Sequence, residues 1–129
     1  MRVFLGGTCN GSTWRDTLIP MLTCDYFNPV VEDWTPECQE IELFERETCD
    51  YVLYVITPRM KGVYSIAEVV DDSNKRPDKT ILCVIHDEGE FHNTVVVAES
   101  LMAVERMVLS NSATVLTSIP AVAEFLNNQ

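Results

Sequence analysis

The sequence lacks the features that mark several large classes of protein. No stretch reaches the roughly 20 apolar residues that a membrane-spanning helix needs, and residues 1–7 hold no apolar run long enough for a signal peptide. Basic residues are few, since nine Lys and Arg stand against 20 Asp and Glu, for a formal net charge of −11. We therefore do not expect a broad basic surface for DNA, RNA or an acidic membrane. A small anionic ligand held by backbone amides is compatible with this charge.

The cysteines and histidines are also too few and too scattered for a metal centre. The five cysteines form no CxxC pair, and neither they nor the two histidines cluster at the spacing of zinc ligands. Free thiols are typical of a reducing, cytoplasmic setting. Cys83 lies in an apolar run, where a cysteine usually serves as a small core residue. Both histidines fall in or beside one polar loop with no serine elbow, which gives little support to Ser-His-Asp catalysis.

What the chain does have is a regular alternation of strand and helix patterns. Apolar residues make up 47 % of the 129 residues, enough for one domain spanning residues 1–129. Strands are predicted at residues 3–5, 26–31, 50–56, 80–85 and 113–116, with helical spacing between them. This alternation indicates an α/β three-layer sandwich around a parallel sheet. For five strands with right-handed connections, the common arrangement is the flavodoxin or Rossmann-like strand order 2-1-3-4-5. The residues predicted to be buried in this sheet are Val52, Leu53, Val55, Ile81, Val84 and Val115.

Local signals indicate how the first two helices begin and which way they face. Ser12 is predicted to cap the first helix, and Pro20 is predicted to interrupt it. Thr35, with a proline after it, predicts the start of the second helix. Ile41 and Phe44 are predicted to face inward from that helix. The first helix begins near Trp14, which is expected to pack in the core or at its rim.

In the predicted order, the carboxyl ends of strands 1 and 3 meet at the switch point, where α/β sheets bind ligands. The loop after strand 1, residues 6–12, is rich in glycine, and the segment after strand 3 leads to Glu68 near a helix start. A carboxylate there, with apolar neighbours, is placed for nucleophilic or acid–base work. The alternative is a solvated helix glutamate.

Two other candidates near the switch point each have two interpretations. Gly6 and Gly7 let the backbone approach a phosphate or ribose, or they serve a tight turn that needs glycine. The loop has neither the Walker ending nor the GxGxxG spacing. Asn28, at the end of strand 2, can hydrogen-bond a nucleobase edge or form an Asx turn.

Several segments together carry a resemblance to a known family. They are the Phe-Leu-Gly-Gly at the end of strand 1, the run Asp-Tyr-Val-Leu-Tyr-Val-Ile-Thr-Pro at residues 50–58, Gly62, and Ser-Ile-Ala-Glu at residues 65–68. Over about residues 1–90 the chain resembles the nucleoside 2-deoxyribosyltransferase-like family, which includes deoxynucleoside monophosphate N-glycosidases. The resemblance implies that Glu68 is the nucleophile on the anomeric carbon of the sugar. It also implies that Glu42, eight positions before Asp50, takes the place of an acidic residue that protonates the leaving base.

The resemblance implies an enzyme that cleaves or transfers the N-glycosidic bond of 2′-deoxynucleosides or their 5′-monophosphates, without a cofactor. It also implies a homo-oligomer, which agrees with the apolar residues on more than one face of the helix predicted at 93–109. The expected substrate-binding residues are Gly6, Gly7, Thr8, Asn10, Asn28, Gly62, Tyr64 and Ser65.

Two positions depart from the family pattern. Phe4 replaces a tyrosine whose hydroxyl steadies the nucleophile, and Gly62 replaces a serine or aspartate that contacts phosphate or sugar. These departures keep open a rival interpretation, in which a domain of the same fold binds or senses a nucleotide without turnover. A third possibility is an interaction domain with no ligand.

Overall fold

A parallel sheet of five strands forms the centre of the molecule. The computed structural model describes residues 1–9 and 11–129. The sheet order is β2-β1-β3-β4-β7, which confirms the predicted order 2-1-3-4-5. Its strands are β1 (Arg2–Gly7), β2 (Asp25–Phe27), β3 (Tyr51–Ile56), β4 (Thr80–Val84) and β7 (Thr114–Leu116). The polar loop after β4 contains an antiparallel hairpin of two short strands, β5 (Asp87–Glu88) and β6 (Phe91–His92).

Helices cover both faces of this sheet. They are α1 (Trp14–Leu18), α2 (Pro36–Thr48), α3 (Tyr64–Lys75), α4 (Val95–Ser110) and α5 (Ile119–Asn127). Apolar residues of α1 and α5 pack on one face, and those of α3, α4 and the end of α2 pack on the other. The predicted α/β sandwich is therefore confirmed. No helix in the described part of the chain combines the length and the apolar character needed to cross a bilayer.

The core follows the alternation expected of strands that are covered on both sides. In β3, Leu53 faces the α1 and α5 layer, whereas Tyr54 faces the α3 and α4 layer, and both are fully buried. The prediction of burial is confirmed for Val52, Leu53, Val55, Ile81 and Val84, and also for Trp14 and Cys83. It is wrong for Val115, which is only partly buried. Val115 lies in the edge strand β7, which has a neighbouring strand on one side only.

The start of the first helix differs from the prediction. The N-cap position is Thr13, and no side chain caps the helix there. Ser12 instead donates from Oγ to Oε2 of Glu88 at 2.6 Å, because the β5–β6 hairpin lies close to this loop. The predicted interruption is present, since the α-helix gives way to a 3-10 turn that contains Pro20.

The orientation predicted for the second helix is wrong. Ile41 is 50 % exposed and Phe44 is 62 % exposed. The buried side chain of α2 is that of Arg46, and Glu42 is half-buried. The reason is that α2 faces charged partners, such as Asp72 on α3, which the apolar pattern of the helix does not reveal.

Candidate active site

Glu68 lies at the carboxyl end of the sheet, in the second turn of α3. Its side chain is 14 % exposed and borders a cavity of about 90 Å³ where β1 and β3 end. We call this cavity the carboxylate cavity. Its lining residues are Phe4, Gly6, Gly7, Cys9, Arg15, Pro29, Glu42, Ser65 and Glu68. The structure thus brings the glycine-rich loop and Glu68 together across one cleft.

The two glycines at the end of β1 are required by the close approach of β1 to β3. A Cβ on Gly7 would lie 2.1 Å from the carbonyl oxygen of Val55, and the φ of Gly7 is +113°. A Cβ on Gly6 would lie 2.7 Å from the ring of Tyr54. Packing therefore accounts for glycine at both positions. The same lack of side chains leaves backbone at the wall of the carboxylate cavity.

Glu68 has an unusual ionisation because it is shielded from water. The pKa of Glu68 is raised to about 7, mainly by burial; Arg46 opposes this shift, and the nearby carboxylates of Glu42 and Asp72 add to it. Catalytic carboxyl groups often lie in a cleft and have a pKa shifted towards neutral pH. Such a group can act as a base or nucleophile when ionised and can donate a proton when protonated.

Glu42 is a second carboxyl group in the same cavity. It comes from α2, whereas Glu68 comes from α3. Burial raises the pKa of Glu42, and Arg46 again opposes the shift. Two carboxyl groups on one cavity, each made harder to ionise by burial, can share one proton between them.

The residue that steadies Glu68 is not on β1. Phe4 is buried, stacks on Phe27, and has no hydroxyl to offer. The cationic neighbour of Glu68 is Arg46, whose Nη1 lies 3.4 Å from Oε2 of Glu68. Sequence reasoning missed Arg46. The sequence did contain a signal for its burial. Residues 38, 42, 45 and 49 are spaced as one face of a helix, and Arg46 lies next to that face.

Thr8 braces the loops around the cleft. Its carbonyl oxygen accepts hydrogen bonds from Nε1 of Trp14 at 2.9 Å and from Nη1 of Arg15 at 2.8 Å. Its Oγ1 accepts from the backbone N–H of Thr57 at 2.9 Å. Arg15 also donates to the carbonyl oxygen of Leu5, so its guanidinium is held by backbone. Thr8 and Arg15 therefore fix the shape of the β1 loop.

A second cavity of about 250 Å³ adjoins the first one. The two share Cys9 and Arg15, and the lining of the second is completed by Gly11, Ser12, Asp16, Asn28 and Val30. Oδ1 of Asn28 accepts a hydrogen bond from the backbone N–H of Val30 at 3.1 Å, which is the Asx-turn geometry. Asn28 thus forms the turn and also borders the cavity. We call this the loop cavity.

The remaining candidates lie at or before the start of α3. Ser65 borders the carboxylate cavity. Tyr64 is 68 % exposed and borders a further cavity of about 240 Å³ with Arg46, Ala67, Glu68 and Asp71. Gly62 is exposed, and a Cβ there would meet no atom within 4 Å, so packing does not require glycine. Asn10 lies outside the described residues.

A much larger cavity lies elsewhere and is mainly apolar. It is a groove of about 890 Å³ between α3 and α4, and we call it the α3–α4 groove. Val63, Val96 and Val97 on its wall are exposed. Glu42 and Glu68 do not line it, so the smaller carboxylate cavity is the candidate active site.

Comparison with known proteins shows what the chain is similar to. No curated protein matches the chain at a significant level. Residues 1–88 match the family model described as nucleoside 2-deoxyribosyltransferase like. The match includes β1 to β4 and both carboxyl groups of the cavity. The chain belongs to the nucleoside 2-deoxyribosyltransferase-like family.

Proposed function

We propose that this protein cleaves or transfers the N-glycosidic bond of 2′-deoxynucleosides or their 5′-monophosphates. Membership of the family supports a function related to glycosyl transfer and the binding of a small nucleoside. The observation that carries the proposal is the pairing of Glu42 and Glu68 on one cavity at the switch point of the sheet. Burial raises the pKa of both carboxyl groups, and a raised pKa allows a carboxyl group in a glycoside-cleaving site to keep a proton near neutral pH.

In the first step, a carboxylate oxygen of Glu68 bonds to C1′ of the sugar while the bond from C1′ to the base nitrogen breaks. Glu42 gives its proton to the departing base through an oxocarbenium-like transition state. In the second step, water or the nitrogen of another base attacks C1′ and releases Glu68. Glu42 takes up the proton of the attacking group, so both carboxyl groups return to their starting states. Every step uses side chains of the chain itself.

The loop cavity is the place proposed for the base. It adjoins the carboxylate cavity through Cys9 and Arg15 and has the volume for one heterocyclic ring system. The carboxamide of Asn28 on its wall supplies polar atoms for a base edge. The sugar would then lie over the glycine backbone at the end of β1, with C1′ towards Glu68.

A second candidate function is a nucleotide-binding or nucleotide-sensing domain without turnover. Phe4 favours it, because the wall of the carboxylate cavity has an apolar ring where a hydroxyl would hold the nucleophile. Gly62 favours it as well, since it offers no side chain to a sugar or phosphate. In this case ligand would bind and raise the melting temperature without release of base.

Base release measured by HPLC separates the two functions. The protein is incubated with each 2′-deoxynucleoside and 5′-monophosphate, with and without an added acceptor base. We expect free base, or an exchanged nucleoside when the acceptor is present. Glu68→Gln and Glu68→Ala should abolish the product, because they remove the nucleophile. Glu99→Gln is the matched control, since Glu99 is exposed on α4 and outside both cavities. A nucleotide that raises the melting temperature but is never cleaved would support the binding domain instead.

A further inference from the structure

Arg46 joins the cavity to a buried set of charges. It is 6 % exposed although it carries a guanidinium. Its Nε donates to Oδ2 of Asp72 at 3.0 Å and its Nη2 donates to Oδ1 of the same carboxylate at 3.0 Å. This is a two-point contact in which both planar groups are fixed relative to each other. The third nitrogen, Nη1, lies on the side of Glu68.

Asp72 is itself held on every side. It is completely buried, and its Oδ2 also accepts a hydrogen bond from the hydroxyl of Tyr54 on β3. Arg76, at the C-cap position of α3, forms an ion pair with its Oδ1. The guanidinium of Arg46 is therefore tied through Asp72 to the central strand β3 and to α3. An exposed arginine could adopt many rotamers, but this one has its direction fixed by buried partners.

The charges around Glu68 are mostly negative. From its own helix, Asp71 and Asp72 lie close to Arg46, and from α2 Glu42 borders the same cavity. Tyr64 borders the further cavity of about 240 Å³ together with Arg46 and Glu68. Cys9 and Arg15 border the carboxylate cavity from the β1 loop and α1, where the guanidinium of Arg15 is bonded to backbone carbonyls. Tyr54, on β3, is connected to these charges by the hydrogen bond from its hydroxyl to Asp72.

Arg46 is thus the one cation within 4 Å of Glu68 in the described part of the chain. A cation at this distance favours the ionised carboxylate, whereas the surrounding acids and burial favour the protonated one. Its position also limits where the carboxylate can lie, because moving Glu68 away from Nη1 would give up the charge contact inside a poorly hydrated site.

We propose that Arg46 is a positioning residue, which favours the carboxylate form of Glu68, holds its side chain in place beside the cavity and takes over the supporting role for which Phe4 has no hydroxyl. The catalytic meaning of this inference rests on the proposed function, but the effect on Glu68 does not. Arg46 acts through Glu68 and does not border the carboxylate cavity itself. Asp72, Tyr54 and Arg76 serve to keep the guanidinium in place.

Carbon-13 NMR of protein labelled at the side-chain carboxyl carbon of glutamate measures the ionisation of Glu68 without any substrate. The Glu68 signal is assigned by its absence in Glu68→Gln, and pH titrations are then compared for the wild type and Arg46→Gln. We expect the pKa of Glu68 to rise by about 1–3 units in Arg46→Gln. Arg46→Lys keeps the positive charge but loses the two-point contact of the guanidinium. The pKa of Glu68 in this variant should therefore lie between its values in the wild type and in Arg46→Gln. Arg106→Gln is the matched control, because Arg106 is exposed on α4.

Arg46→Gln leaves Asp72 buried without its main partner, so the variant can fail to fold. Asp72→Asn and the double variant Arg46→Gln with Asp72→Asn are therefore prepared as well. The difference in the pKa of Glu68 between these two variants gives the effect of Arg46 after the buried charge of Asp72 has been removed.

The pH dependence of base release provides a second test of the role of Arg46. If the wild type releases base, the acid limb of kcat/KM should move to higher pH in Arg46→Gln and return towards the wild-type position in Arg46→Lys. A raised pKa of Glu68 with no base release from the wild type would support the role of Arg46 and contradict the proposed function. An unchanged pKa of Glu68, in both Arg46→Gln and the double variant, would overturn the inference whether or not the wild type is active.

Discussion

Glu42 and Glu68 face one cavity of about 90 Å³ although they belong to different helices, α2 and α3. Burial makes both carboxyl groups harder to ionise, and the carboxylate of Glu42 adds to this effect at Glu68. Arg46, which opposes the shift at both groups, lies one turn after Glu42 on α2. In the proposed reaction, one of these carboxyl groups keeps a proton for the leaving base while the other acts as the nucleophile.

The burial of Glu68 should make the protein less stable at high pH. Its pKa in the folded protein is about 7, above the ordinary value of 4.5, so the folded state holds the proton more tightly than the unfolded state. The contribution of Glu68 to stability is therefore fully present below pH 4.5 and is lost as pH rises through 7, by an amount on the order of 3 kcal/mol. Glu68→Gln removes this ionisation. We expect the variant to melt at a higher temperature than the wild type at pH 8, with little difference at pH 4.

Thermal melts of Glu99→Gln over the same pH range provide the control. That variant should follow the wild type at both pH values, because Glu99 is exposed on α4. An equal change in the melting temperature of Glu68→Gln at pH 4 and pH 8 would show that the ionisation of Glu68 is not the cause.

Loss of the proton donor should matter most for bases that leave poorly. Glu42→Gln keeps the size of the side chain but cannot give up a proton, so base release should slow by about 100- to 10,000-fold. The loss should be much smaller with 7-methyl-2′-deoxyguanosine, whose base already carries a positive charge and leaves without protonation. Initial rates with both substrates test this, and Glu40→Gln, exposed on the same helix, is the control. An equal loss with both substrates would remove Glu42 from the role of proton donor.

The centre of the sheet should be sensitive to truncation. Leu53 is fully buried in β3 between β1 and β4. Leu53→Ala should lower the free energy of unfolding by about 2–5 kcal/mol, because it leaves a cavity in the core. Leu109→Ala is the control, since Leu109 is 54 % exposed and its truncation should change the free energy by no more than about 0.5 kcal/mol. Urea unfolding curves give both values, and similar midpoints for the two variants would contradict the assignment of β3 to the core.

The sheet could be predicted from the sequence because its signals are local and repeated. The apolar run of residues 51–56 is long enough for a strand covered on both faces, and the strand–helix alternation leaves few topologies. The same reasoning places Glu68 at the carboxyl end of β3, since the chain can only turn there into the next helix. The family resemblance added the expected roles of Glu68 and Glu42.

The polar interior could not be predicted in the same way. Apolar periodicity places Ile41 and Phe44 inside, yet α2 turns its charged face to α3 because Asp72 offers Arg46 a buried partner there. Such pairs depend on contacts between distant segments, and a single sequence does not display them. The bond from Ser12 to Glu88 was missed for the same reason, because it depends on how the β5–β6 hairpin folds back.

The apolar surface predicts that the protein self-associates. The α3–α4 groove has exposed valines on its wall, and Val96 is 73 % exposed. A patch of this kind usually marks a contact between proteins. Light scattering at micromolar concentration should give a mass above the 14.6 kDa of one chain. Val96→Lys should lower it towards that value, whereas Leu109→Lys, outside the groove, should not. A wild-type mass near 14.6 kDa with full activity would contradict this prediction.

The most direct test of the account is to trap the covalent intermediate on Glu68. The protein is incubated with nucleosides whose sugar is 2-deoxy-2-fluoroarabinose, because fluorine next to C1′ destabilises the oxocarbenium-like transition state and slows turnover. Intact-mass spectrometry should show the addition of one fluorinated sugar, and peptide mapping should locate it on Glu68. The adduct should be absent from Glu68→Gln and present in Glu99→Gln. An adduct on another residue, or release of base with no adduct on Glu68, would contradict the central role given to this carboxylate.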